Sequence, residues 1–213
     1  MKQLRNMIGL ICWGLIWCAT LTEAQQLTPI GRVTALEGVV VRHHPDSSQA
    51  ERLHLQSFVH QEDRIQTMAA SQVKLVLVDD TVLTLGPESS LRLTEYVYTP
   101  SSQHRKSVLQ AFVGVFRIAV QKVLPEGVFE VHTSNAVAAI RGTEWMAEVK
   151  PETTAVVVLE GQVAVRHARP DIGGAVVLTT GEGTDVRGNQ APTPPKTWGT
   201  ARVEALRQAT TLP

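Results

Sequence analysis

Few side chains in this sequence stand in a pattern that could do chemistry. The sequence has no Gly-x-Ser-x-Gly nucleophile motif, no His-Glu-x-x-His zinc motif and no Asp-x-Asp-x-Asp-Gly calcium loop. Asp79 and Asp80 could supply paired carboxylates for acid–base catalysis. They lie between two apolar runs, however, where aspartates commonly form turns. We therefore expect a protein that is not an enzyme.

Four of the seven histidines lie close together in the sequence, at His43, His44, His54 and His60. Imidazoles can hold zinc or copper in an exported protein. Their spacing here matches no metal-binding signature, and no acidic pattern beside them supplies further ligands. The sequence therefore predicts histidines of surface loops, with no bound metal and no other cofactor.

The tripeptide Arg141-Gly142-Thr143 is the sharpest motif, and two interpretations of it stay open. In the structural interpretation, Gly142 takes a positive φ at a corner of the chain and Thr143 bonds the turned backbone. Arg141 would then pair with a nearby carboxylate. In the functional interpretation, Arg141 binds an anionic group or a partner. Residues of these types are common at β-corners, which favours the structural interpretation.

The elements that must hold these residues are short β-strands. The runs Val73–Leu77 and Val82–Leu85 are β-prone, and Asp79-Asp80 between them indicates a hairpin. From Val108 to Leu124 the spacing fits a helix or a strand, and the β-branched and aromatic residues favour a strand. Strands recur about every ten residues. This pattern predicts an all-β fold, a single solenoid-like or sandwich-like domain with a short C-terminal helical tail.

One internal echo supports a coiled β structure. The segment Leu36-Glu37-Gly38-Val39-Val40-Val41-Arg42-His43 resembles the segment from Leu159-Glu160-Gly161 to His167. Repeated corners of this kind are typical of solenoid-like folds, which makes Gly161 a structural residue. Convergence on the same turn chemistry is the alternative interpretation of the echo.

The first residues have the build of a secretory signal peptide. Lys2 and Arg5 precede the apolar run Ile8–Leu21, and small residues lead to a cleavage site after Ala24. The run is shorter than the about 20 apolar residues of a membrane span. We expect residues 1–24 to be removed, leaving a periplasmic or secreted protein with no stable membrane span. Retention of the segment as an anchor is the alternative.

Three segments follow from this organisation. Cys12 and Cys18 lie in the expected signal peptide, so the mature chain would contain no disulfide and no thiolate. Residues 25–188 form the predicted β domain. Residues 189–213 are a Pro-rich linker followed by a short amphipathic helix over Thr200–Ala209.

The charge balance argues against nucleic acid as a partner. The chain has 20 Lys and Arg residues and 20 Asp and Glu residues. A nucleic-acid-binding protein usually carries a basic excess, because Lys and Arg neutralise the phosphates. We therefore expect no binding to DNA or RNA.

Five motifs in the middle of the chain resemble those of the FecR family. They stand in the family's order within residues 62–166. The most specific part of the resemblance is the series Thr-x-x-Ala, then Arg-Gly-Thr-x-aromatic, then Leu-Glu-Gly-x-Val. The five motifs are Glu62–Thr67, Leu77–Leu85, Phe129–Ala136, Ile140–Trp145 and Val157–Val163.

The resemblance implies a β-rich, solenoid-like domain that works outside the cytoplasm. In iron-uptake signalling such a domain takes a signal from an outer-membrane transporter. A membrane span there joins the domain to a cytoplasmic N-terminal segment that controls a sigma factor. This sequence shows no regulatory segment before its apolar run and no short signalling fold after the β domain. Direct control of a sigma factor is therefore not expected of it.

The sequence favours a non-catalytic module of the cell envelope that binds a protein or takes part in signalling. We expect its binding surface in a polar loop from Tyr96 to Arg105, with Tyr98 between them, or at the C-terminal segment around Trp198. The alternative is a glycan- or peptidoglycan-binding module, in which exposed aromatic rings such as Trp145 would stack on sugars. An aromatic content of 5% makes this alternative the second choice.

Overall fold

The computed structural model describes residues 28–99, 101–102, 104–121 and 126–212. The expected signal peptide, residues 1–24, lies outside the described residues. The described chain consists of strands and a short C-terminal helix, which confirms the predicted all-β class with a helical tail. No described helix has the length and apolar character needed to cross a membrane.

The described residues form seventeen strands and one helix, joined mostly by tight turns. In chain order the elements are β1 (Gly31–Glu37), β2 (Val40–His43), β3 (Glu51–Arg52), β4 (Phe58–Val59), β5 (Arg64–Thr67), β6 (Gln72–Leu77), β7 (Val82–Leu85), β8 (Ser90–Thr99), β9 (His104–Ala119), β10 (Glu126–His132), β11 (Ala136–Ile140), β12 (Glu144–Lys150), β13 (Thr153–Glu160), β14 (Gln162–His167), β15 (Ala175–Thr179), β16 (Glu182–Arg187), β17 (Lys196–Thr197) and α1 (Thr200–Ala209).

The strands form two sheets that share β9. The order along the first sheet is β4–β1–β6–β7–β9–β12–β13–β16–β17. The order along the second sheet is β3–β2–β5–β8–β9–β10–β11–β14–β15. The first half of β9 pairs within the second sheet and its last residues pair within the first. One strand thus ties the two layers together.

The core lies between the two sheets. In β6 every second residue is buried, namely Val73, Leu75 and Leu77, because successive side chains of a strand point to opposite faces. Strands of the second sheet add Ile65 and Leu91 to the same cluster. Removing this apolar surface from water is the main favourable term in folding. The predicted sandwich-like arrangement is therefore confirmed.

The chain crosses between the sheets at tight corners, and each described corner contains a residue with a left-handed φ. From β10 onward, two strands in the second sheet alternate with two in the first, which is the predicted solenoid-like winding. Glycine is favoured at such corners because it lacks a Cβ. The nine corner residues are Gly38, Gln56, Glu62, Ala70, Glu88, Gly114, Gly142, Gly161 and Gly181.

The internal echo in the sequence marks two equivalent corners. Gly38 has φ +75° and leads from β1 in the first sheet to β2 in the second. Gly161 has φ +88° and leads from β13 in the first sheet to β14 in the second. A Cβ on Gly38 would lie 2.3 Å from the Ser71 hydroxyl. The close approach of Ser71, at the corner between β5 and β6, therefore also requires glycine at position 38. The repeat therefore reflects a repeated structural task.

The predicted polar loop from Tyr96 to Arg105 was wrong for most of its residues. β8 continues to Thr99 and β9 begins at His104, so that Tyr98 pairs with Arg105 in the ladder between them. The sequence suggests a loop here partly because Arg105 is charged, but the Arg105 side chain faces inward and is buried. Polar residues that face the core were thus read as loop residues.

The C-terminal tail docks on the outer face of the first sheet. The predicted helix over Thr200–Ala209 is confirmed as α1. Its Leu206 packs with Trp198 against Met146 and Val157, which project from β12 and β13 on the face opposite to the main core. The tail therefore covers apolar residues that the sandwich alone would leave exposed.

Candidate functional site

The Arg141-Gly142-Thr143 corner has the predicted backbone geometry. Gly142 has φ +59°, and the Thr143 hydroxyl donates to the Gln162 carbonyl at 2.8 Å and to the Arg141 carbonyl at 3.3 Å. A Cβ on Gly161 would lie 2.7 Å from the Gly142 carbonyl oxygen. The two corners therefore stack, with the positive φ and the threonine hydrogen bonds that the structural interpretation expects.

The carboxylate partner predicted for Arg141 is not found. The Arg141 side chain is exposed and makes no ion pair with any described residue. It projects from the corner into solvent, which leaves its charge available. Binding of an anionic group or a partner by Arg141 stays a prediction.

Two of the predicted surface residues, Tyr96 and Arg105, are buried. Tyr96 is 5% exposed and Arg105 is 1% exposed. The Arg105 guanidinium lies 2.9 Å from the Asp79 carboxylate and 5.4 Å from the centre of the Phe129 ring. The expected binding surface from Tyr96 to Arg105 was therefore wrong in its exposure, because these side chains point between the sheets.

The buried pair of Asp79 and Arg105 is held in its charged form. Burial raises the pKa of the Asp79 carboxyl, but the neighbouring Tyr96 hydroxyl, the Thr81 backbone N–H and the Arg105 guanidinium outweigh it and lower the pKa below its ordinary value. Burial and the neighbouring Asp79 charge raise the pKa of the Tyr96 phenol. Tyr96 and Arg105 thus serve the interior of the fold.

The other two predicted binding residues also differ from expectation. Tyr98 is half-buried within β8. Trp198 is 6% exposed, with the Arg202 guanidinium 3.4 Å above its ring and Gly183 against its edge. Arg202 also pairs with Asp185 at 2.6 Å. Trp198 therefore anchors the tail on β16, and an exposed aromatic surface at the tail was a wrong prediction.

The glycan-binding alternative relied on the same aromatic rings. Tyr96, Trp145 and Trp198 are all buried, and Tyr98 is half-buried. Sugar stacking needs an exposed ring face, which these side chains do not offer. The described residues therefore give no support to a glycan site built on them.

The clustered histidines connect to a buried carboxylate. Asp63 is fully buried, lies 2.9 Å from His44 Nδ1, and accepts the backbone N–H of His60 at 2.7 Å. Arg42 Nη1 reaches the same carboxylate at 3.4 Å. Among the described residues, no group of His, Cys, Asp and Glu side chains has an arrangement that could hold a metal ion. His44 and His60 are thus half-buried members of a hydrogen-bond network.

One sheet edge, which sequence reasoning missed, is the edge most open to pairing with another chain. Of the four edge strands of the two described sheets, β3, β4 and β17 are each two residues long, and β3 and β17 carry charged side chains. Short or charged edges protect a sheet against pairing with another chain. The fourth edge, β15, has five residues and none of them is charged.

The backbone of β15 presents free pairing groups. The Thr179 N–H donates to the Glu182 carboxylate at 2.8 Å, so it faces away from β14. Because residues of an antiparallel strand alternate between facing the partner and facing away, the N–H and C=O groups of Ala175 and Val177 also face away from β14. These groups have no hydrogen-bond partner among the described residues. The Val177 side chain, 56% exposed, stands beside them.

The strand itself was predictable, since Ala175–Leu178 is a β-prone run. Its position at a sheet edge was not predictable, because that position depends on which of many similar strands has a neighbour on one side only. No signal within the run distinguishes it from the paired strand Val163–His167.

Comparison with known proteins agrees with this architecture. The chain is similar in structure to a protein of Parabacteroides distasonis ATCC 8503, described as a candidate anti-sigma factor, in two crystal structures at 1.65 Å and 2.50 Å resolution. In both cases the TM-score is 0.54 and the sequence identity is 21%, and the match covers 68% of this chain and 64% of the other. The chain thus spans less than two thirds of that protein's length, and the likeness shows the fold alone.

The family relation comes from the sequence. No curated protein sequence matches the chain. The family model described as FecR protein matches residues 63–164, which includes the Asp79 turn, the long strand β9 and the stacked corners at Gly142 and Gly161. This match agrees with the span in which the five sequence motifs were recognised. The chain carries a FecR domain over these residues.

Proposed function

We propose that this protein is an exported, non-catalytic interaction module that takes part in signalling in the cell envelope by binding a protein partner. The observation that carries the proposal is the open edge strand β15. Its unpaired N–H and C=O groups at Ala175 and Val177 can receive an extended segment of a partner, which would lengthen the second sheet by one strand.

Strand addition suits this edge for two physical reasons. Main-chain hydrogen bonds supply affinity in such complexes, and alternate side chains supply specificity. None of the residues of β15 is charged, and Val177 offers an apolar contact beside the outward-facing backbone groups of Ala175 and Val177. The other edges are two residues long and could form few such bonds.

Two further observations support a signalling role outside the cytoplasm. Residues 1–24 have the composition of a signal peptide, and cleavage after Ala24 would release the β domain into the periplasm or the medium. The FecR relation and the candidate anti-sigma factor with the same fold support regulation by protein contact in place of turnover.

Site-specific photo-crosslinking from β15 tests the proposal. A photoreactive residue at Ala175, at the same edge of β15, should capture one envelope protein, which mass spectrometry identifies. Val177→Lys should abolish the capture because a charge at an edge disfavours strand pairing. The matched control is Val128→Lys, which changes an exposed valine of β10, a strand that already pairs on both sides.

Equal capture by both variants would remove β15 as the contact surface. The same envelope fraction tests export, since we expect the mature chain to begin at Gln25. A protein that still begins at Met1 would contradict cleavage.

A further inference from the structure

A groove on the outer face of the second sheet contains two arginines that have no carboxylate partner among the described residues. We call it the arginine groove. Its cavity has a volume of about 380 Å³. It is lined, besides Pro45, by His43, His44, Glu62, Arg64, Gln66 and Arg92.

The two arginines are placed side by side by the strand register. Arg64 of β5 and Arg92 of β8 are direct partners across the ladder. Both guanidinium groups lie over the Phe112 ring, at 4.4 Å and 5.7 Å from its centre. Arg64 Nε also donates to the Ser90 hydroxyl at 2.8 Å. Stacking and hydrogen bonding therefore hold these groups before any ligand arrives.

The charge pattern of the groove is unfavourable for folding alone. Like charges directly opposite each other destabilise a sheet. Arg64 and Arg92 form no ion pair with any described residue, although Glu62 lines the same cavity. Arg42 of the adjacent strand β2, by contrast, is neutralised by Glu51 and Asp63. Two positioned but unbalanced cations point to an anion supplied from outside the chain.

We propose that the arginine groove binds a carboxylate side chain from an acidic segment of a protein partner. Guanidinium groups fit a carboxylate through paired N–H donors, and preorganised donors lose little entropy on binding. Arg64, Arg92 and Glu62 together give the groove a charge of +1, which one carboxylate balances and a dianion such as phosphate would exceed. The inference rests on the proposed function and names the chemistry of the partner.

Calorimetric titration at low ionic strength tests the groove directly. The probes are a blocked tetraglutamate peptide, its tetraglutamine counterpart and inorganic phosphate, each added to the purified protein. We expect binding of tetraglutamate and none of tetraglutamine. Arg64→Gln and Arg92→Gln should each weaken tetraglutamate binding by about tenfold or more, since a charge-assisted bond is lost.

Arg32→Gln is the matched control, because Arg32 of β1 is also exposed and without an ion pair among the described residues. An equal loss of affinity in this variant would show a general cation effect and overturn the assignment. Tighter binding of phosphate than of tetraglutamate would overturn the carboxylate specificity. Absence of tetraglutamate binding to the unaltered protein would overturn the groove itself.

The edge variant separates this inference from the proposed function. Val177→Lys changes β15, which lies at the far edge of the second sheet from the groove strands β5 and β8. It should leave tetraglutamate binding unchanged. Loss of partner capture with intact peptide binding is the outcome expected if both proposals hold. Capture that survives Val177→Lys contradicts the proposed function alone, and an unaltered protein that captures its partner but binds no tetraglutamate contradicts the groove alone.

Discussion

The molecule contains two arginine sites that resemble each other in packing and differ in charge balance. Arg105 lies 5.4 Å from the Phe129 ring and pairs with Asp79 inside the sandwich. Arg64 lies 4.4 Å from the Phe112 ring on the outer face, opposite another arginine. In the first site the Asp79 carboxylate neutralises the Arg105 charge. In the second site no described carboxylate neutralises the Arg64 charge, which remains available. The presence of a buried carboxylate therefore separates a structural arginine from a binding one.

A third arginine lies between these extremes. Arg202 stacks on Trp198 and pairs with Asp185, whose side chain is 3% exposed, but Arg202 itself is 40% exposed. Burial raises the pKa of the Asp185 carboxyl, and Arg202 and the nearby basic groups lower it below its ordinary value. The three sites differ in how far a buried carboxylate balances the arginine charge, and the expected effects of substitution follow that difference.

The largest effect is expected at the buried pair. Arg105→Ala should lower the free energy of unfolding by about 3–5 kcal/mol, because it leaves Asp79 charged and buried without its partner. Chemical denaturation measures the loss. Arg64→Ala is the control, with the same residue type over a phenylalanine ring but no buried carboxylate.

The double variant Asp79→Leu with Arg105→Met sharpens this test. Because it removes both charges together, it should be more stable than either single variant. A double variant as unstable as Arg105→Ala would mean that packing at this place, and not charge balance, sets the cost. The comparison between the two arginine sites would then lose its basis.

These burial patterns explain which parts of the structure the sequence could predict. The backbone geometry at Gly142 and Thr143 was predictable because a corner is local. The positive φ and the side-chain hydrogen bond that it requires fall on adjacent residues. Arg105 was taken as exposed because its partner Asp79 lies 26 positions away in the chain. Trp198 was misplaced for the same reason, since Gly183 and Arg202 bury it. Long-range partners decide burial, and a single sequence does not reveal them.

A smaller effect is expected at the tail. Arg202→Ala should cost about 1–2 kcal/mol, since the bond to a buried charge is lost while solvent and Arg187 still reach Asp185. Thermal unfolding measures the stability, and limited proteolysis reports release of α1. Arg169→Ala removes an ion pair of which both members are solvent-exposed, so it should leave both measurements unchanged. Equal effects of the two variants would contradict the role of burial.

The pH dependence of stability distinguishes the same sites in another way. The lowered pKa of Asp185 means that its charged form stabilises the fold. This contribution is fully present above the unfolded-state pKa of about 3.9 and is lost as the pH falls through the lower folded-state value. Denaturation curves of the unaltered protein and Asp185→Asn should therefore converge on acidification below about pH 4. Curves that stay parallel would show that Asp185 contributes through packing alone.

The smallest effect on stability is expected in the arginine groove, where the dependence of stability on salt separates repulsion from packing. Arg92→Gln removes one of two opposed like charges and only the longer of the two contacts with Phe112. The relief of repulsion and the lost contact nearly cancel, so the free energy of unfolding should change by less than about 0.5 kcal/mol. Added salt should stabilise the unaltered protein more than Arg92→Gln, because salt screens a repulsion that the variant no longer has. Chemical denaturation at low and high ionic strength gives both quantities.

A loss above about 1 kcal/mol, with no difference in salt response, would mean that the arginine pair holds the sheet together. The groove would then belong with Arg105 as a structural site, and its charges would need no partner to explain them.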